Sequence, residues 1–193
     1  MTNNSPIIID NFLPPEVFQP FAFHTMTCGQ YAPCDYTTVP EERDGSIETF
    51  GENLSSQRNL TEVMFQSLQY RRDIKAQLVS DSYIANFEVF SEIKRLLNIK
   101  HLIMIRTNCT VGQRKKHIGT YHTDLSEEHL LRDYKVAIIY LNSNNGGTQF
   151  LNGPFVQSKA NRCVIAPMHM QHAGVWQTDA KLRYVMNLNY AEN

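Results

Sequence analysis

The residues with the most to offer chemically lie in Tyr121-His122-Thr123-Asp124. On a β-strand, residues two apart point to the same face. His122 and Asp124 would then project together into one cavity, an imidazole beside a carboxylate. Such a pair suits two adjacent positions around a hard or borderline metal ion. Alone the pair is a weak signal, since chance supplies an HxD about 0.3 times in a chain of this composition. His172, in Met170-Gln171-His172-Ala173-Gly174, strengthens it. It follows the apolar run 163–166 and would bring a third donor from a second strand. Two histidines and one carboxylate occupy one face of an octahedral ion and leave the opposite face open for cosubstrate and oxygen. That donor set points to iron(II), with no thiolate in the pattern to favour zinc. His169 is the alternative third ligand. Residues 169 and 172 face opposite sides of a regular strand, so only one of them can serve.

A second feature is independent of the first. Alternation from residue 182 separates Leu182, Tyr184, Met186 and Leu188 from Arg183, Val185, Asn187 and Asn189. The first set would pack on helices and the second would line a cavity. An arginine inside a barrel needs a counter-charge, because an unpaired buried charge is costly. A dicarboxylate held by a bidentate contact would provide it, and a structural Arg–Asp bridge is the other reading. Between the metal segments, Val136–Asn142, Gly146-Gly147 and Thr148–Phe150 read as strand, glycine turn and strand, hence a hairpin. Tyr140 would need a partner for its hydroxyl if it points inward.

These residues must be held by something rigid, and the second half of the chain offers it. Short, β-branched or alternating runs predict strands over 101–109, 118–124, 134–142, 147–151, 154–158, 162–166, 170–176 and 182–190. The first half predicts a strand over 6–9, a helix from the Pro14-Pro15 start to about Thr25, a long irregular segment over 28–58, and helices over 59–79 and 83–97. Many strands preceded by helices imply a helix-buttressed sandwich or barrel of jelly-roll type, not a Rossmann fold. The 193 residues fit one domain. A formal net charge of −1 gives no field to hold a polyanion, so nucleic acid is not a favoured partner. Four cysteines without a CxxC pair imply free thiols and a cytoplasmic setting. No secretory signal or membrane-spanning run is expected from the residue pattern. The basic run Arg114–His117 reads as a solvated loop or as the rim of a substrate mouth. Trp176 reads as core or as a stacking platform for substrate.

At these motifs the sequence resembles the 2-oxoglutarate and iron(II)-dependent dioxygenases, in their prolyl-hydroxylase-like branch. The matching pieces are YHTD at 121–124, IIYLN at 138–142, GGTQF at 146–150, QHAG at 171–174 and RYVMNLNY at 183–190, in the family's order. The resemblance implies a double-stranded β-helix, a cupin-like jelly roll over 101–190, with helical and irregular support from 1–100 in a single domain. It implies that His122, Asp124 and His172 bind Fe(II) and that Arg183 holds the distal carboxylate of 2-oxoglutarate. Tyr140 matches a tyrosine that hydrogen-bonds the same carboxylate, and Asn187 a position that adds a polar contact. The implied reaction consumes O2, decarboxylates 2-oxoglutarate to succinate and hydroxylates a C–H bond, with ascorbate as an auxiliary reductant. The implied substrate is a prolyl or other residue of a peptide or protein. The alternatives are a nucleobase or a free amino acid as substrate, or a cupin-like protein that binds metal without oxidising anything. An arginine at 183 is similar to the oxygen-sensing and bacterial prolyl hydroxylases, where collagen-type enzymes carry lysine. Asn189 stands where nucleic-acid demethylases of the superfamily carry a second arginine. The family's tyrosine on the strand before the HxD is replaced around Cys109–Gly112. Asp124 excludes the halide site of the related halogenases.

Overall fold

The computed structural model describes residues 5–28, 32–34, 64–71, 87–124 and 133–193. Its centre is the last strand. Strand β10 (Leu182–Ala191) lies in the middle of a seven-stranded sheet whose order is β1-β8-β5-β10-β4-β3-β2. Those partners are β1 (Ile7–Ile9), β2 (Ala32–Cys34), β3 (Met64–Arg71), β4 (His101–Val111), β5 (Tyr134–Tyr140) and β8 (Arg162–Pro167). A second sheet, β7-β6-β9, is made of β6 (Gly147–Phe150), β7 (Phe155–Gln157) and β9 (His172–Val175). Every pairing is antiparallel. Two antiparallel sheets closing on one another, with helices behind the larger, make the jelly roll that the strand pattern predicts, in the double-stranded β-helix form that the resemblance implies.

The larger sheet is sandwiched because its strands alternate cleanly. Ala137, Ile139 and Leu141, with Met186, Leu188 and Tyr190, turn to one side. There they meet two helices, α1 (Pro15–Cys28) and α2 (Phe87–Leu96). In α1, Phe18, Phe21, Ala22 and Thr25 recur at helical spacing and are all buried. In α2 and its end, Val89, Ile93 and Leu97 do the same. The α2 terminus is closed by Asn98 at φ 50°, with Ile99 N–H on the Lys94 carbonyl and Asn98 N–H on the Arg95 carbonyl. That is a Schellman end, in which asparagine tolerates the left-handed conformation. On the other side of the sheet, Val136, Ile138, Val164 and Val185 pack against Phe150 and Val156 of the smaller sheet.

Four expectations are corrected. Within the predicted helix 59–79, the described residues 64–71 form β3, paired along most of its length with β4. A short apolar run does not distinguish helix from strand by periodicity, and non-local pairing decides. The predicted hairpin of β5 with β6 does not form. Both edges of β5 are taken by β10 and β8, so the chain after Tyr140 crosses to the smaller sheet. The predicted strand 118–124 is reduced to two isolated bridges, Ile118 to Val175 and His122 to His172. The first hundred residues are not only helical and irregular support, since β1, β2 and β3 all join the larger sheet. The remainder of 28–58, and residues 59–63, 72–79 and 83–86, lie outside the described residues.

Candidate metal centre

His122 and His172 are held by each other. Each backbone N–H donates to the other's carbonyl at 3.0 Å. In such an antiparallel pair both side chains leave on the same face. The pairing depends on an irregularity in the chain before His122. Ile118 bridges Val175, and the Gly119 N–H donates to the Gly174 carbonyl at 2.9 Å. Continued in that register, Tyr121 would oppose His172. One extra residue is taken up between Gly119 and His122, a β-bulge, and it brings the histidine into place.

The rings are fixed by matching contacts. His122 Nδ1 lies 3.0 Å from the Thr120 carbonyl, and His172 Nδ1 lies 3.2 Å from the Met170 carbonyl. A carbonyl only accepts, so in the neutral rings Nδ1 carries the proton and Nε2 presents its lone pair. Asp124 Oδ1 lies 3.8 Å from His122 Nε2 and 4.0 Å from His172 Nε2. One potential ligand atom from each of the three residues falls within 4.8 Å of the other two. The Asp124 side chain is fully buried, and its Oδ2 and the His172 Nε2 have no hydrogen-bond partner. A buried polar atom left so costs on the order of 1–3 kcal/mol. A cation shared by these atoms removes that cost, so the three residues fit a divalent metal with nitrogen and oxygen ligands.

The protonation states agree. Burial pushes the His122 imidazole down, and His172 beside it adds to the effect, so His122 is held neutral. Burial alone would push the Asp124 carboxyl up. The nearby His172, Arg106 and His122, and a hydrogen bond from Asn187, outweigh it and hold the group ionised below its ordinary range.

Between the sheets lies a cavity that His122 and His172 share with the larger sheet. Strand β4 contributes Arg106, Asn108 and Thr110, and β10 contributes Arg183, Val185 and Asn187. Arg183 is 5% exposed. Its Nη2 donates to the Gly147 carbonyl at 3.0 Å and its Nη1 to Thr110 Oγ1 at 3.4 Å. Gly147 is required there, because a Cβ at that position would stand 2.1 Å from the Val156 carbonyl oxygen. Tyr140 is wholly buried. Its hydroxyl donates to Thr148 Oγ1 at 2.8 Å and lies 3.2 Å from the Val156 carbonyl. Thr148, not Tyr140, reaches the cavity wall. Asn187 lines the cavity. Asn189 is buried but is not among the lining residues. Trp176 is both buried and cavity-lining, and the His117 ring lies 5.4 Å from it. The exposed run Arg114–His117 therefore ends at the cavity's edge. His169 is exposed in the turn after β8 and stands outside the ligand group.

Sequence reasoning missed Arg106. Its Nη2 donates to Asp124 Oδ1 at 3.1 Å. A signal for it was present. Arg106, Asn108 and Thr110 are polar residues two apart on one face of β4, the same pattern that singled out β10.

A double-stranded β-helix carrying a His-Asp-His group on its inner wall is the architecture that defines this chain. No protein-family profile matches it, and no curated protein matches it in sequence. Solved structures share the fold. One is SnoN, a non-heme alpha-ketoglutarate-dependent epimerase from nogalamycin biosynthesis, with TM-score 0.60 and 10% identity over 98% of this chain and 78% of that one. Another is a Pseudomonas putida prolyl-4-hydroxylase, with TM-score 0.54 and 12% identity over 100% of this chain and 95% of that one. A third is a Trichoplax adhaerens prolyl hydroxylase in complex with a hypoxia inducible factor peptide fragment, with TM-score 0.53 and 14% identity over 98% and 84%. No helix among the described residues is long and apolar enough to cross a membrane.

Proposed function

We propose that the chain is an Fe(II)- and 2-oxoglutarate-dependent dioxygenase that hydroxylates a C–H bond of a prolyl or other peptide residue. One observation carries this reading: His122 and His172, grouped with Asp124, line a cavity that Arg183 also lines. His122 and His172 would offer Nε2 lone pairs and Asp124 a carboxylate oxygen to the iron. When bound, iron and 2-oxoglutarate would supply the oxidising chemistry that no side chain has. The chain's own residues bind, orient and exclude. Arg183, on a central strand and supported by Thr110 and Gly147, would take the distal carboxylate of the cosubstrate through its guanidinium. Thr148, backed by Tyr140, would add a hydroxyl on the same side. The apolar cluster around Ile138, Phe150 and Val156 keeps water from one side of the cavity. The neighbouring prolyl hydroxylases support the peptide substrate by likeness of fold alone, and folds host several chemistries.

The test is an anaerobic absorption titration of the Fe(II)-loaded protein with 2-oxoglutarate, followed by succinate analysis in air. A saturable charge-transfer band and succinate formation are expected. Iron bound without a band would leave a metal site that does not take this cosubstrate, and would overturn the proposal. Product analysis on prolyl peptides, oligonucleotides and free amino acids then reads the substrate class.

A further inference from the structure

Of the three ligands, Asp124 is the least anchored by its backbone. His122 and His172 are tied together by two backbone hydrogen bonds, and each ring is pinned by a carbonyl. Asp124 lies in a bend outside any strand. Among the described residues, the side-chain hydrogen bond that reaches it comes from the larger sheet. Arg106 sits on β4 with partners on both sides, Leu68 of β3 and Asn187 of β10. Arg106 and Asn187 are thus directly opposed across the ladder and line the same cavity, and Arg106 donates to the Asp124 carboxylate. Arg106 binds Oδ1, the oxygen for which contacts to both imidazole Nε2 atoms are seen. The guanidinium on Oδ1 leaves Oδ2, which has no hydrogen-bond partner among the described residues, open to a metal.

We infer that Arg106 and Asn187 form a positioning pair that fixes Asp124 as a metal ligand from a rigid site in the sheet. The inference rests on the metal-site reading above. A guanidinium near a cation has two opposite effects. It repels the ion, and it orients the ion's ligand. The pair's geometry assigns the second as dominant, since among the described residues Asp124 has no backbone pairing of the kind that joins its two companions. Groups that orient a ligand in this way change metal affinity by about 10–100-fold when removed.

The experiment is a Mn(II) titration of the full chain, followed by the electron paramagnetic resonance signal of free Mn(II), with melting curves of each metal-free variant. R106M is expected to bind about 10–100-fold more weakly than wild type. R106K, which keeps the charge and loses the planar fork, is expected to fall between them. N187A is expected to weaken binding in the same direction by less. R183M removes an equal charge from the same cavity without touching a ligand, and is expected to bind Mn(II) as wild type does. R106M binding as tightly as wild type or tighter would overturn the inference, since charge repulsion would then dominate. Equal weakening by R183M would overturn it too, because the effect would not be specific to Asp124. If R106M does not melt cooperatively, R106K carries the test, and wild-type affinity in R106K overturns the inference. Failure of the wild type to bind Mn(II) is a different result, which removes the metal-site reading itself.

Discussion

Toward the helices, β5 turns Ala137 and Ile139, with Leu141 just after it; toward the cavity it turns Val136, Ile138 and Tyr140. The next strand repeats the division with a change in kind. On the helix side β10 shows Tyr184, Met186, Leu188 and Tyr190, and on the cavity side Arg183, Val185 and Asn187. The two faces share one backbone ladder. The helix face is apolar and holds the sheet against α1 and α2. Among the described residues, buried polar atoms without hydrogen-bond partners collect around the cavity, Asn187 Oδ1 on the cavity face and Asp124 Oδ2 and His172 Nε2 opposite it. Burial of apolar area stabilises the first face at roughly 25 cal/mol per Å². The second gives up stability to keep donors and acceptors pointed at something that is not protein. A ladder can serve both ends because successive side chains leave on opposite faces.

If the faces divide labour in this way, substitutions should separate binding from stability. The largest effect is expected on the cavity face. His172→Ala removes a ligand outright, so metal affinity should fall by more than the roughly 100-fold upper range for supporting groups. Turnover should go with it, while the metal-free melting temperature changes little. Metal titration and a melting curve on the same sample check both halves. Near-normal affinity in the variant would remove His172 from the ligand set. Arg183→Ala comes next. Loss of a buried charge contact should weaken 2-oxoglutarate by about 2–5 kcal/mol, or at least about 30-fold, with Mn(II) affinity retained. Calorimetric titration of the metal-loaded variant reads this, and unchanged affinity would refute the role.

The division also explains how much could be read in advance. The helix face was legible because burial demands apolar residues at alternate positions, and β10 supplies them without a break from Tyr184 to Tyr190. His122, Asp124 and His172 were legible because few residue types can ligate a metal. What failed was non-local. Residues 64–71 carry no local mark that says strand, and only β4 alongside makes them one. Residues 136–150 look like a hairpin until β8 and β10 occupy both edges of β5. The bulge before His122 cannot be read from one segment, because it is a mismatch between two. Arg106 escaped for a different reason. It lies far from every motif, and its importance comes only from reaching Asp124 across the cavity.

On the helix face the expectation reverses. Ile139 is fully buried between sheet and helices. Ile139→Ala should cost about 2–5 kcal/mol through lost burial and the cavity left behind. In a chain of this size that lowers the melting temperature by about 4–20 °C. Affinities for metal and 2-oxoglutarate, measured well below the new midpoint, should match wild type. A loss of metal affinity larger than the loss of stability would mean that the two faces are mechanically coupled, and that the comparison is too simple.

The smallest effect belongs to the clamp where the chain enters this face. Asp10, between β1 and α1, receives the Arg162 Nε at 2.6 Å and the Lys159 Nζ at 2.9 Å. Its carboxyl is held well below the ordinary range, first by the hydrogen bond from Arg162 and then by that from Lys159. Asp10 is 38% exposed, so water screens the pair. Asp10→Asn should therefore cost only about 0.2–1 kcal/mol, the range for exposed ion pairs. The sign of its pH dependence is fixed. A carboxyl with a depressed folded pKa adds stability above its unfolded value of about 3.9, and that stability is lost as the pH falls through the folded value. The gap in melting temperature between wild type and variant should be constant from pH 7 to about pH 5 and should shrink below about pH 4. A gap that widened on acidification would mean that Asp10 acts through something other than its charge.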